Sequence, residues 1–150
     1  MEPLKNYGFR NCLIDKANEG TKIIGICLGF QILADYSEED GGVKGLGVLK
    51  SKVEKLKSSF SHTCWESFDF DKGQIDNFRT NRLTRKRKIS GRVFYNHEYG
   101  FVNFESCYDQ KIPGDLKKYS SMVIKDNIIG MQFHPEKSQT TGLNLLSMII

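Results

Sequence analysis

Apolar residues fall along the 150-residue chain in runs and alternations that divide it into short elements. Leu4, Tyr7, Leu13, Ile14 and Ala17 can share one helical face, so Met1 to Glu19 reads as helix, bent or broken at Gly8 and stopped at Gly20. Lys22 to Ile26 reads as a strand and about Leu28 to Tyr36 as a second helix, an order that suits a parallel sheet with helical crossovers. A doubly wound sheet normally opens on a strand, so the strand preceding the first helix is expected to be missing. Ser37 to Gly42 is an acidic loop ending in glycines, and Leu46 to Leu56 alternates as a partly exposed antiparallel strand. The aromatic stretch Ser61 to Phe70 and the segment Arg92 to Asn96 read as further strands. Ser120 to Ile124 and Ile128 to Phe133 flank Lys125-Asp126-Asn127 as a hairpin, and Gly142 to Ile150 reads as a buried terminal helix. Residues 1–150 are therefore expected to form a single α/β domain, without repeats, linkers or low-complexity segments.

Composition narrows the class without naming it. Hydrophobic residues make up 39% and charged residues 27%, the balance of a globular chain rather than a disordered one. A net charge of +4 is mild and by itself implies no nucleic-acid or membrane partner. Arg79, Arg82, Arg85, Lys86, Arg87 and Lys88 form one basic cluster. It lacks an adjacent reading element or stacking aromatics, so it reads as a solvated loop or a contact for an acidic protein surface. Cys12, Cys27, Cys64 and Cys107 are widely spaced with no C-x-x-C pair, which reads as thiols in a reducing cytoplasm. No apolar run approaches the length of a membrane span.

The candidate chemistry centres on Gly25-Ile26-Cys27-Leu28-Gly29-Phe30-Gln31. A strand feeding a cysteine bracketed by glycines has the form of a nucleophile elbow, a sharp turn that stands the side chain above the sheet. Glycine on both sides is expected to relieve crowding, and the helix N-terminus to favour the thiolate. A buried structural cysteine with incidental glycines fits the same local pattern. The histidines are His62, His97 and His134. His134 is the best base, because it ends an apolar strand and Glu136, two residues on, can hold the far ring nitrogen.

Together, the Cys27 elbow and Phe133-His134-Pro135-Glu136 resemble the class I, or triad, glutamine amidotransferases. Gly45-Leu46-Gly47, Asn96-His97-Glu98-Tyr99 and His134-Pro135-Glu136-Lys137-Ser138 before Gly142-Leu143-Asn144-Leu145-Leu146 are similar to the glutaminase subunits of imidazole glycerol phosphate synthases. The resemblance implies a doubly wound, flavodoxin-like fold with an antiparallel extension, and hydrolysis of glutamine to glutamate and ammonia. It implies Cys27, His134 and Glu136 as the triad and the Leu28 N–H as an oxyanion donor. Gly29, Gln31, Glu39, His97, Glu98 and Tyr99 would bind glutamine; for Glu39 and His97 a solvent-facing loop and a hydrogen-bonded strand end are the alternatives. Trp65 and Lys137 would lie near the interface with a (βα)8-barrel synthase partner, against a core aromatic and a surface lysine. No cofactor, metal, nucleic acid or membrane is implied.

The family usually begins with strands and a glycine-containing loop that supplies a second oxyanion donor, so the chain is expected to be N-terminally incomplete. Where histidine-pathway members usually read His-Met-Gly-Trp-Asn, this chain reads His62-Thr63-Cys64-Trp65-Glu66, and Glu98 replaces a small hydroxyl residue. These departures suit a paralogue that feeds ammonia to sugar amidination for surface polysaccharides. A non-catalytic interaction subunit and a cysteine hydrolase of another γ-glutamyl or peptide bond are the other readings.

Overall fold

The computed structural model describes residues 7–57, 61–71, 73, 88–102 and 108–150. Leu4, Cys107 and Arg79 to Arg87 of the basic cluster lie outside the described residues. Among the described residues, three helices, α1 (Tyr7–Asn18), α2 (Leu28–Gln31) and α3 (Gln139–Ile149), accompany ten strands. The strands are β1 (Ile23–Ile26), β2 (Tyr36–Ser37), β3 (Val43–Lys44), β4 (Lys52–Lys55) and β5 (His62–Asp71). They continue with β6 (Lys88–His97), β7 (Tyr99–Phe101), β8 (Tyr108–Lys111), β9 (Ser120–Lys125) and β10 (Ile128–Met131).

The central sheet has the order β1-β10-β9-β8, with β1 and β10 parallel and the other pairs antiparallel. Every residue of β10 and the first five of β9 are buried, as expected of strands covered on both faces. The period of two separates their contacts: Ile129, Met131, Met122 and Ile124 join one core cluster, and Ile128 and Val123 the other. The first cluster takes Leu145, Met148 and Ile149 from α3 and Phe68, Val93 and Tyr95 from β5 and β6. The second takes Phe30, Leu33, Leu46, Leu49, Val53 and Phe101, with Ala17 of α1. A smaller sheet, β3-β2-β4-β7, flanks that second cluster, and β5 and β6 form a ten-residue antiparallel pair that is the extension expected from the sequence. The extension joins the central sheet through a bridge between Phe94 and His134.

Several boundaries differ from the sequence reading. Gly8 lies in the first turn of α1, which is described from Tyr7, and the part of the expected helix before it lies outside the described residues. The second helix ends at Gln31 rather than Tyr36, because the carbonyls of Ile32, Leu33 and Ala34 accept from the amides of Leu46, Leu49 and Gly47. The same bonds hold 46–49 off the strand expected over Leu46 to Leu56, so only Lys52–Lys55 pairs in a sheet. Tyr36–Ser37 and Val43–Lys44 pair across the acidic loop, and β8 was hidden by its polar composition. The hairpin turn lies where expected, with Asp126 at φ 50°. Its Asn127 Nδ2 donates to the carbonyls of Ala17 (2.9 Å) and Thr21 (2.6 Å), tying the α1–β1 connection to the sheet.

Candidate active site

Cys27 follows β1 directly and adopts φ 49°, ψ −110°, a conformation that non-glycine residues rarely occupy and that is held here from several sides. Its N–H donates to the Met131 carbonyl at 2.7 Å, extending the β1–β10 pairing into the turn. Its carbonyl accepts from Phe30 (3.0 Å) and Gln31 (3.1 Å). Phe30, fully buried, lies against Gly130 and stacks on Phe101 with centroids 4.3 Å apart. A Cβ on Gly130 would stand 2.0 Å from the Phe30 ring, so the sheet opens a slot for the residue that anchors the elbow.

The two bracketing glycines are not equivalent. A Cβ on Gly25 would meet the Gly29 carbonyl oxygen at 2.6 Å and the Phe30 Cα at 2.8 Å, so the strand can approach α2 only without a side chain there. A Cβ on Gly29 would meet nothing within 4 Å, which corrects the expectation that both glycines relieve crowding.

The Cys27 sulfur has three polar neighbours. The Leu28 N–H donates to it, Gln132 Nε2 lies 3.7 Å away, and the thiol faces the Asn96 carbonyl at 3.9 Å. Burial raises the Cys27 pKa; Glu136 and Glu39 push the same way, while the Leu28 N–H and Lys137 oppose them. The expected thiolate-favouring helix end is therefore outweighed: α2 has only four residues, and desolvation dominates. Removing the thiol proton calls for a base.

His134 reaches the same region from the end of β10. Its N–H donates to the Phe94 carbonyl at 2.8 Å, and its carbonyl accepts from Ser138 Oγ at 2.6 Å. Its Nδ1 lies 2.7 Å from Glu136 Oε1 across the 3₁₀ turn Pro135–Lys137. A carboxylate at Nδ1 keeps the proton on that nitrogen and leaves the Nε2 lone pair free. The turn is seated on α3: a Cβ on Gly142 would stand 1.8 Å from the Pro135 carbonyl oxygen.

A cleft of about 430 Å³ opens above the sulfur, lined by Cys27, Gln31, Glu39, Ser61, Asn96, His97, Glu98 and Tyr99. Five of the six residues expected to bind substrate are thus on one wall or another; Gly29 is outside the lining, as are His134 and Glu136. Gln31 Nε2 donates to the Tyr99 carbonyl (2.8 Å) and to Gln132 Oε1 (3.1 Å), so its amide braces the wall. Glu39 Oε2 is buried and has no hydrogen-bond partner among the described residues. His97 Nδ1 donates to the Tyr99 carbonyl at 2.7 Å, and burial holds its pKa down at about 4. Trp65 is half-buried against Phe94 with centroids 5.6 Å apart, and Lys137 is exposed on the turn after His134. Both therefore border the segment that carries His134.

Gln132, Asn96 and Ser61 were missed. Gln132 did leave a signal, as the one polar residue inside the apolar run Ile128 to Phe133, and it is fully buried.

The chain is similar to known proteins in sequence and in fold. The family model "Glutamine amidotransferase class-I" matches residues 3–148. The imidazole glycerol phosphate synthase subunit HisH of Oceanobacillus iheyensis is 32% identical over 155 residues, spanning 97% of this chain and 70% of that protein. The HisH subunit of Listeria innocua is 35% identical over 151 residues, spanning 97% of this chain and 68% of that protein. A solved glutamine amidotransferase superimposes with a TM-score of 0.64 at 17% identity, covering 95% of this chain and 68% of that one, which shows the fold. With the fold, the elbow and the family match in agreement, the chain belongs to the class-I glutamine amidotransferases.

Proposed function

We propose that this chain is the glutaminase subunit of an imidazole glycerol phosphate synthase, releasing ammonia from glutamine for a synthase partner in histidine biosynthesis. One observation carries the reading. A cysteine in a φ 49° elbow is bonded at 2.7 Å to Met131, three residues before a histidine held at 2.7 Å by Glu136. The relatives of the same name support the choice of subunit.

In this mechanism glutamine enters the cleft with its carboxamide over Cys27. The sulfur attacks the amide carbon as His134 Nε2 takes the thiol proton, since burial leaves the resting thiol protonated. The Leu28 N–H, already directed at the sulfur, donates to the oxyanion. His134 passes the proton to the leaving nitrogen, and ammonia departs from a γ-glutamyl thioester. Water then attacks the thioester with His134 again as base, the sulfur recovers its proton, and glutamate leaves. Glu136 holds the imidazole in the tautomer that permits both transfers and stabilises the imidazolium between them. In the cleft, the unpartnered buried oxygen of Glu39 suits the α-ammonium of glutamine. His97 is neutral at physiological pH and shapes the wall without adding charge.

Trp65 and Lys137 border the His134 turn, which suits an interface with a (βα)8-barrel synthase subunit in the cytoplasm. Such an interface would pass ammonia on before it is protonated. No described helix is long and apolar enough to cross a membrane. The test is glutamate formation by the chain with and without its synthase partner. Turnover that rises with the partner and vanishes in Cys27→Ala is expected; no turnover in the folded complex overturns the reading.

A further inference from the structure

Beside the cleft, β5 carries His62, Cys64 and Glu66 at alternate positions, and the period of two puts all three on one side of the strand. Their donor atoms converge. Cys64 Sγ is 3.0 Å from His62 Nε2 and 3.4 Å from Glu66 Oε1, and His62 Nε2 is 3.5 Å from Glu66 Oε1. Ligands at ordinary zinc distances of about 2.0–2.3 Å in a tetrahedron are separated by about 3.3–3.6 Å. The triangle on β5 is therefore close to one face of such a tetrahedron.

The imidazole is already set in the ligating tautomer. His97 Nδ1 donates to the Tyr99 carbonyl at 2.7 Å, so the neutral His97 ring can only accept at Nε2. His62 Nδ1 lies 2.9 Å from that Nε2 and must carry the proton, which leaves the His62 Nε2 lone pair facing Cys64 and Glu66. A metal-binding histidine is commonly oriented in this way through its other nitrogen. The His62 side chain is only 11% exposed and that of Glu66 is 32% exposed, so the ring is fixed while one edge of the triangle stays accessible.

We propose that His62, Cys64 and Glu66 form a three-ligand site for a borderline divalent cation of the Zn²⁺ class, with the fourth position open to water. Thiolate, imidazole and carboxylate together suit Zn²⁺ rather than Mg²⁺ or Ca²⁺, which take oxygen ligands. Binding forms a metal–sulfur bond and releases the Cys64 thiol proton to solvent, so one proton leaves per ion bound. Without a cation that thiol is held protonated, its pKa pushed up to about 11 by burial and by Glu66. The His62–His97 hydrogen bond survives metal binding at Nε2, so the ion would stiffen the His97 wall of the cleft.

The test is Co²⁺ and Zn²⁺ titration of the full chain with Cys12, Cys27 and Cys107 replaced by serine. One Co²⁺ per chain, a near-ultraviolet thiolate-to-cobalt charge-transfer band, displacement by Zn²⁺ and release of one proton are expected. Cys64→Ser should abolish the band. His97→Gln should weaken Zn²⁺ binding about 10- to 100-fold by freeing the His62 ring. If Cys64→Ser fails to fold, Glu66→Gln carries the test: Zn²⁺ affinity must fall at least tenfold while the circular dichroism is unchanged. Absence of the charge-transfer band, or unchanged affinity in folded Glu66→Gln, overturns the site.

Discussion

The Cys27 amide donates to the Met131 carbonyl at 2.7 Å, so the turn that holds Cys27 and the strand that leads to His134 are one hydrogen-bonded unit. Parallel pairing of β1 with β10, from Ile23↔Ile128 to Ile26↔Met131, fixes the register of that unit. A slip of one residue would invert the side-chain faces of β10 and exchange the residues it gives to the two core clusters.

Gly25 and Gly29 should respond in opposite ways to alanine. Gly25→Ala drives a Cβ against backbone at 2.6–2.8 Å and should cost about 1–3 kcal/mol of stability. Gly29→Ala meets open space within α2 and should be neutral or slightly stabilising. Urea unfolding of the two variants checks this; equal destabilisation would mean that the elbow packs differently.

Gly142→Ala tests how the turn after His134 is seated. The new Cβ would stand 1.8 Å from the Pro135 carbonyl, so α3 or the Pro135–Lys137 turn must move. A loss of about 1–3 kcal/mol in stability is expected. The rate of glutamine hydrolysis should also fall, since Glu136 lies within that turn; unchanged kinetics in a destabilised protein would separate α3 packing from the site.

Glu136→Gln should leave the fold intact, because the side chain is half exposed, and should lower kcat about 10²–10⁴-fold. The loss comes from the wrong histidine tautomer and an unsupported imidazolium. Steady-state kinetics with purified protein measure it, and a drop confined to KM would instead place Glu136 in substrate binding.

His97 makes stability depend on pH. Its pKa falls from 6.5 to about 4 in the folded chain, so between those values the unfolded chain binds the extra proton. This contribution is full above about pH 6.5 and is lost as pH falls towards 4, at most about 3 kcal/mol in all. Urea midpoints of the parent and His97→Gln between pH 7 and pH 4.5 give the measurement. The parent should lose more stability over that span, by a difference no larger than one proton's linkage.

The elements that the sequence revealed are those whose own residues decide their form. Ile23, Ile24 and Ile26 before Gly25-x-Cys27 announced the strand and elbow, and the apolar runs around Asp126-Asn127 announced the hairpin. The start of the second helix was legible but its early end was not, because distant amides of Leu46, Leu49 and Gly47 take the carbonyls of Ile32, Leu33 and Ala34 just beyond it. Tyr108–Lys111 forms β8 despite a polar composition, since the antiparallel pairing with β9 supplies what propensity does not. At the site, Cys27, His134 and Glu136 carried local signatures. The bracing contacts of Gln31 and Gln132 and the His62–His97 bond depend on partners 35 to 101 residues away.

The proposed function requires Cys27 to act as a glutamine-directed nucleophile. Peptide mass spectrometry after treatment with a glutamine-mimicking diazoketone, in the presence of the synthase partner, tests this most directly. The expected result is one adduct per chain, on Cys27, suppressed by excess glutamine and absent in Cys27→Ser. Labelling at Cys12 or Cys64 instead, or labelling of Cys27 that glutamine does not suppress, would contradict it.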